Sequence, residues 1–182
     1  MGRRSTPTDA GTVVIVPGES PSDAGDSNAG VPDPDGVAGI VDTFGCLDRD
    51  ELRRGIVEAA YRLDRHPDDE AIDAAIDAAI EEYCLARVDD DPERYVVGPA
   101  AFPTVPDGAR DLPHVLGIDR RDPDRSPAHD RIAERFRSDA ARAVDAGDGE
   151  RIVALLDLSY EIELWADADL AAARDLLDEA AP

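Results

Sequence analysis

Apolar residues recur at helical spacing along most of this chain, switch once to strand-like alternation, and show almost no periodicity before residue 36. Gly36 to Phe44 places Val37, Ile40, Val41 and Phe44 on one side of a short helix, which Gly45 ends. The next start is marked in "CLDRDELRRGIVEAAYRL": Asp48 is an N-cap, Glu51 stands three residues on, and Leu47 can staple against Leu52. Leu52, Ile56, Ala59, Ala60 and Leu63 make its apolar stripe. A further helix is expected to open at His66 and Pro67 and to bury Ile72, Ile76, Ile80 and Tyr83. From Tyr83 the period changes, and "YCLARV", "DDDPE" and "RYVV" read as strand, turn and strand.

Beyond Gly98 comes "VGPAAFPTVPDGARDLPHVLGI", in which Pro99, Pro103 and Pro106 stiffen the backbone and Asp111 is placed to cap a short helix with Pro113 in its first turn. It reads as a joint that drops Phe102 between two modules. Ser126 and Pro127 then start a helix with Ile132, Phe136, Ala140 and Ala143 on one face and Gly147 as its stop. Asp148 caps the next, which aligns Ile152, Leu155, Leu156, Ser159 and Ile162, and Asp167 is expected to cap the last, with Leu170, Ala173, Leu176 and Leu177. Connections this short favour an antiparallel helical layer.

The predicted fold is therefore α+β and mostly α: three helices and a β-hairpin in winged-helix-like order, then a C-terminal antiparallel helical layer. The expected organisation is a disordered acidic tail over 1–35, a winged-helix-like module over 36–98, a proline-rich joint over 99–118 and a helical module over 119–182 packed on it. The tail assignment follows from its Pro, Gly, Ser, Asp and Thr content, which cannot bury enough surface to offset the entropy of ordering.

Charge changes the picture of the solvent. The 182 residues carry 42 acidic against 19 basic side chains, a net charge of -23. All the basic residues are Arg, Lys and Gln are absent, and Asn28 is the single Asn, the composition of an extreme halophile with a GC-rich genome. At about 1 M salt the Debye length is about 3 Å, so such repulsion is screened. Cys46 and Cys84 stand far apart with no CxxC or Cys/His spacing, which points to neither a disulfide framework nor a zinc site. The opening "MGRRSTPTDAGTVVIV" carries twin arginines and a loose acylation match, but its apolar run is too short for a signal sequence, so both matches are read as accidental. No run approaches the roughly 20 apolar residues that span a bilayer. The expectation is a cytoplasmic protein without membrane association.

Candidate chemistry is sparse. Asp69, Asp73, Asp77 and Glu81 form an i, i+4 row of carboxylates, read as a solvated face rather than a metal site. The helix that would enter a DNA groove in a winged-helix module has seven acidic residues between Pro67 and Glu82 and no Arg, and the wing turn carries Asp89, Asp90, Asp91 and Glu93. Phosphate contact and base reading need cationic or amide donors, so nucleic acid is not the expected partner. Arg131, Arg135 and Arg142 are expected to pair with carboxylates of adjacent helices. Arg120, Arg121 and Arg125 form a cluster able to receive an acidic partner or a phosphate, and with His114 they make the candidate interaction surface. His114, near Asp111, Thr104 and Arg110, is the best placed of a weak set for chemistry, and a capping or core-edge role is the favoured reading of it. Tyr160 and Trp165 are read as core. No catalytic motif, cofactor fingerprint or metal set is present among the usual short signatures, so no catalytic residue, cofactor or metal is expected.

The blocks "FGCLDRDEL", "VGPAAFPTVPDGARDLPHVLGI", "ERFRSDAARAV" and "LLDLSYEIELWADADL" resemble a family of uncharacterised haloarchaeal proteins, a domain of unknown function, over about Gly36 to Leu177. The resemblance implies a halophilic source and one family-wide unit. It brings no activity or site residue. The leading functional expectation is a non-catalytic interaction or adaptor module with an unidentified protein partner. A transcription regulator needs a basic face from Arg49, Arg53, Arg54 and Arg62 or from the Arg120 cluster, and an enzyme of unknown type needs a pocket at His114.

Overall fold

Asp33 opens the first helix: its carboxylate accepts from the Gly36 N–H at 2.8 Å, and Pro34 follows where a missing N–H costs nothing. The structure, a computed structural model, describes residues 30–182. The expected tail lies outside the described residues except for its last six positions, of which Pro34 and Asp35 belong to α1 (Pro34–Phe44). The elements then run β1 (Leu47–Asp48), α2 (Arg49–Tyr61), α3 (Asp69–Glu81), β2 (Leu85–Asp90), β3 (Glu93–Val97), α4 (Leu112–Leu116), α5 (Ser126–Ala146), α6 (Gly149–Ala166) and α7 (Ala171–Ala180). The class is α+β, with seven helices and one three-stranded antiparallel sheet among the described residues.

The expected hairpin gains a third strand. β1 pairs with β3, giving the order β1-β3-β2, with Tyr95 flanked by Leu47 and Arg87. β1 is two residues long, and its Asp48 is also the N-cap of α2, with the full capping box to Glu51.

The sheet is covered on both faces, because alternate residues of its strands point to opposite sides. Leu85, Tyr95 and Val97 face a cluster built from α1 to α4, including Ile40, Phe44, Ile56 and Ile76. Ala86, Val88 and Val96 face a second cluster built from α5 to α7, including Phe136, Leu155, Ile162 and Leu177. Full burial of such side chains contributes about 1.5–3 kcal/mol each, so the two clusters together carry the fold. Tyr83 is the crossover. It follows α3 in the left-handed conformation at φ 62° and sends its ring into the second cluster, not the first.

Several local expectations are corrected. Pro67 does not start α3, because Asp68 outcompetes it as N-cap and accepts from Ala71 N–H at 2.8 Å. Leu63 lies past the end of α2, where helical spacing no longer holds, and is exposed. Asp167 does not cap α7; it ends α6 in the left-handed conformation, and Glu163 and Asp169 accept the free N–H groups of Leu170 and Ala171 instead. Asp111 holds the N-cap position of α4 without a side-chain cap bond, its carboxylate being turned to Arg62 at 3.5 Å.

The proline-rich segment is tied down on α1. Phe102 N–H donates to the Asp35 carboxylate at 2.8 Å and Thr104 N–H to the Asp35 carbonyl at 3.2 Å. Gly39 of α1 permits this approach, since a side chain there would strike the Thr104 carbonyl. Ala109, Leu112 and Ile118 bury themselves in the first cluster. Phe102, expected between the modules, is 75% exposed, because the bond from its own N–H holds the backbone against α1 while the ring faces solvent. Among the described residues no helix is long and apolar enough to cross a membrane.

Candidate interaction surface

The arginines singled out from the sequence are placed apart. Arg121 docks its backbone N–H on the Phe44 carbonyl at 2.7 Å, which Gly45 allows by adopting φ 76° where a side chain would meet the Arg121 carbonyl. Its guanidinium grips Glu51 with two bonds of 2.5 Å. That guanidinium holds the nearly buried Glu51 carboxyl below the usual carboxylate range, against the opposing pull of burial. Arg120 donates to the carbonyls of Asp42 and Thr43 and so closes the C-terminal end of α1, where cations are favoured. Arg125 stands at the N-cap of α5. His114 is exposed on α4, while Asp111 turns to Arg62 and Thr104 to Asp35, so the residues near it in sequence do not converge on it.

The acidic row of α3 faces arginines of α2. Arg53 meets Asp69 at 3.0 Å and Asp73 at 2.5 Å, and Arg49 meets Asp73 at 3.3 Å and Asp77 at 2.8 Å. The guanidinium of Arg53 holds Asp73 below its ordinary range. The wing is neutralised in the same way: Arg94 meets Asp89 at 2.6 Å, Arg87 meets Glu93 at 2.9 Å, and Arg131 reaches from α5 to Asp90 at 2.6 Å. Arg131 thus pairs with the hairpin, not with a helix. Arg135 and Arg142 pair with Asp139 on their own helix, because i, i+4 and i, i+3 spacing brings them there first.

Asp139 is the buried polar centre of the second cluster. It accepts from the Tyr83 hydroxyl at 2.7 Å, within reach of Arg135, Arg142 and Arg151. The Arg135 guanidinium also lies 4.0 Å over the Tyr83 ring and donates to the carbonyls of Ile80 and Glu81 at 2.5 and 2.9 Å. Burial pushes the Tyr83 hydroxyl above its ordinary range, with the bond to Asp139 adding to the shift.

An open cleft of about 500 Å³ lies at the β2 edge, lined by Leu85, Tyr95, Arg87, Arg131 and Arg135 among others. Its arginines are already engaged, Arg87 by Glu93, Arg131 by Asp90 and the Arg87 carbonyl, and Arg135 by the end of α3. Among the described residues no three His, Cys, Asp or Glu side chains are grouped to hold a metal ion.

One exposed and mainly apolar surface is left over among the described residues, on the outer side of α6. α6 carries Glu150, Arg151, Asp157, Glu161 and Glu163, and its apolar residues are spread over more than one side. It buries Ile152, Leu155, Ser159 and Ile162, and leaves Val153, Tyr160 and Leu164 exposed on the opposite face, Leu164 to 84%. At 100° per residue, these three and Asp157 fall within one narrow stripe. Tyr160, expected in the core, is 56% exposed with the Arg174 guanidinium 4.4 Å over its ring. Trp165 is half-buried against His129, its ring centroid 4.5 Å away. The stripe was visible in the spacing of Val153, Tyr160 and Leu164, but the better-aligned Ile152, Leu155 and Ile162 claimed the helix face first.

No curated protein and no solved structure matches the chain. A family model does: it covers residues 35–182, and the chain accordingly belongs to the DUF7109 family, a family of unknown function.

Proposed function

We propose that this protein is a non-catalytic protein-interaction module, winged-helix-like over α1 to β3, that receives its partner on the exposed face of α6. The observation that carries the reading is the Val153, Tyr160, Leu164 stripe, a mainly apolar helix face interrupted by Asp157, over which the described residues place only the Arg174 guanidinium on Tyr160. The surfaces that would serve other functions are occupied from within. Asp69, Asp73 and Asp77 of the acidic helix α3 are matched by Arg49 and Arg53, and Arg121 is bound to Glu51, so Arg49, Arg53 and Arg121 of the DNA-binding reading are paired with carboxylates of the same chain. Composition supports a cytoplasmic setting at high salt, and Cys46 and Cys84 are free, buried thiols suited to a reducing compartment.

The reading is tested with a photoreactive benzophenone amino acid placed at position 164, compared with the same group at the exposed positions 102 and 61. Irradiation in extract at high salt is expected to link a polypeptide through position 164 and through neither control. Absence of any adduct at 164, with adducts at 61 or 102, overturns the proposal.

A further inference from the structure

We propose that the partner on α6 is a second copy of this chain, bound as a two-fold dimer with the two α6 helices antiparallel. The inference rests on the interaction reading above and names its occupant.

The stripe Val153, Asp157, Tyr160, Leu164 has intervals of four, three and four residues, the alternation of a coiled-coil seam. That spacing reads the same in both directions. A two-fold interface requires this property, because each residue must meet the residue that meets it in return. With the axis between Leu158 and Ser159, Val153 lies opposite Leu164 of the second copy, and Asp157 lies opposite its Tyr160. Both pairs are complementary. Val153 and Leu164 are exposed aliphatic groups, and the exposed Asp157 carboxylate gains the Tyr160 hydroxyl as a donor, a charge-assisted bond. An unrelated apolar partner has no need to supply a donor at that one position.

Charge sets the conditions. Glu150 and Glu161 flank the stripe, and a two-fold pairing sets each Glu161 about 8 Å along the axis from the Glu161 of the second copy. Two chains of net charge -23 repel in dilute buffer. At about 1 M salt, with a Debye length of about 3 Å, that repulsion is confined to contact distance while apolar contact persists. The dimer must therefore tighten as salt is added, whereas a basic partner would weaken. The stripe from Val153 to Leu164 is about 17 Å long, which gives a small interface of the weak class, at or below about 1,000 Å². Dissociation constants in the micromolar range are expected.

Sedimentation equilibrium of the full chain in about 2 M KCl, from about 1 µM to 1 mM, reads the stoichiometry. The wild type is expected to pass from monomer to dimer, and Leu164→Glu to shift the midpoint at least about 30-fold. Leu164 is exposed, so this variant keeps its circular dichroism spectrum. Register is read by oxidation: the double variant Val153→Cys, Leu164→Cys forms a covalent dimer, and Val153→Cys alone does not. A wild type that stays monomeric to the top concentration overturns the second copy. In that case a benzophenone adduct to a different polypeptide at position 164 preserves the interaction reading, and no adduct at all overturns both. Efficient linkage by Val153→Cys alone overturns the antiparallel register.

Discussion

Removing the Asp139 carboxylate is expected to destabilise the whole chain, and the cost follows from its contacts. The Tyr83 hydroxyl is buried and donates to Asp139 at 2.7 Å. In Asp139→Ala it has no acceptor, and an unsatisfied buried hydroxyl costs about 1–3 kcal/mol. The arginines add less. The side chains of Arg142 and Arg151 are 74% and 41% exposed and regain water, and Arg135 keeps its two carbonyl acceptors. Pairs of this kind contribute about 0–1 kcal/mol each, and about 1 kcal/mol is assigned to them together. The expected loss is about 2–4 kcal/mol. Tyr83→Phe conserves volume and leaves Asp139 among its arginines, so about 1 kcal/mol is expected. The double variant should cost less than the sum by about 1 kcal/mol, since a Phe ring needs no acceptor. Urea titrations at fixed high salt, followed by circular dichroism, measure all four corners of the cycle. Tyr83 leaves the end of α3 and Asp139 sits on α5, so each variant should lower the midpoint of one transition with an unchanged slope. A loss below about 0.5 kcal/mol for Asp139→Ala, or additivity within about 0.3 kcal/mol, refutes the reasoning.

Four further outcomes are expected. Glu51 and Asp73 have carboxyl groups depressed by Arg121 and Arg53, so their contribution is present above the unfolded values near pH 4 and is lost as pH falls through the folded ones; Glu51→Gln should flatten the acid limb of a stability-against-pH curve. Tyr83 has the opposite sign: its raised hydroxyl contributes below about pH 10 and is lost as pH rises through the folded value, so Tyr83→Phe should flatten the alkaline limb. Burial, with Asp35 and Glu82 nearby, pushes the Cys84 thiol up to about 12, and burial raises Cys46; both should resist a disulfide reagent at pH 8 and react fully in urea, and rapid reaction of either in the folded chain refutes their placement. Dialysis into low salt should unfold the chain as the repulsion of a -23 net charge is unmasked, and a cooperative melt retained at low ionic strength refutes the halophilic reading.

The elements whose ends are marked by caps were legible. Asp48 with Glu51, Asp148, and the glycines at 45 and 147 act through neighbours within a few residues, and these are contacts a sequence displays directly. What was illegible depends on partners far along the chain. Leu47 and Asp48 form a strand only because Tyr95 and Arg94 arrive beside them, and two residues have no period to read. Tyr83 fits the stripe of α3 by spacing, yet a left-handed turn carries it across the sheet to Asp139. Arg120 and Arg121 look like a free basic cluster until the chain returns them to the end of α1 and to Glu51. The α6 face was hidden for the opposite reason. A helix with apolar residues on more than one side shows several stripes at once, and only the packing decides which one is left over.

That leftover stripe gains meaning from where the charges go. Arg49 and Arg53 of α2, Arg87 and Arg94 of the hairpin, and Arg131, Arg135 and Arg142 of α5 are paired with carboxylates of the same chain, whose net charge of -23 leaves a surplus of acids. An ionic recognition site built from what remains would have to distinguish itself from an acidic background. In the strong salt that this composition suits, it would do so over about 3 Å at most. Apolar contact is not weakened in that way, and a hydrogen bond such as the one proposed between Asp157 and the Tyr160 hydroxyl of a second copy acts only on contact. Under these conditions specificity must be written in shape and in apolar spacing. On the described surface, the helix face that carries such a pattern is the one formed by Val153, Asp157, Tyr160 and Leu164.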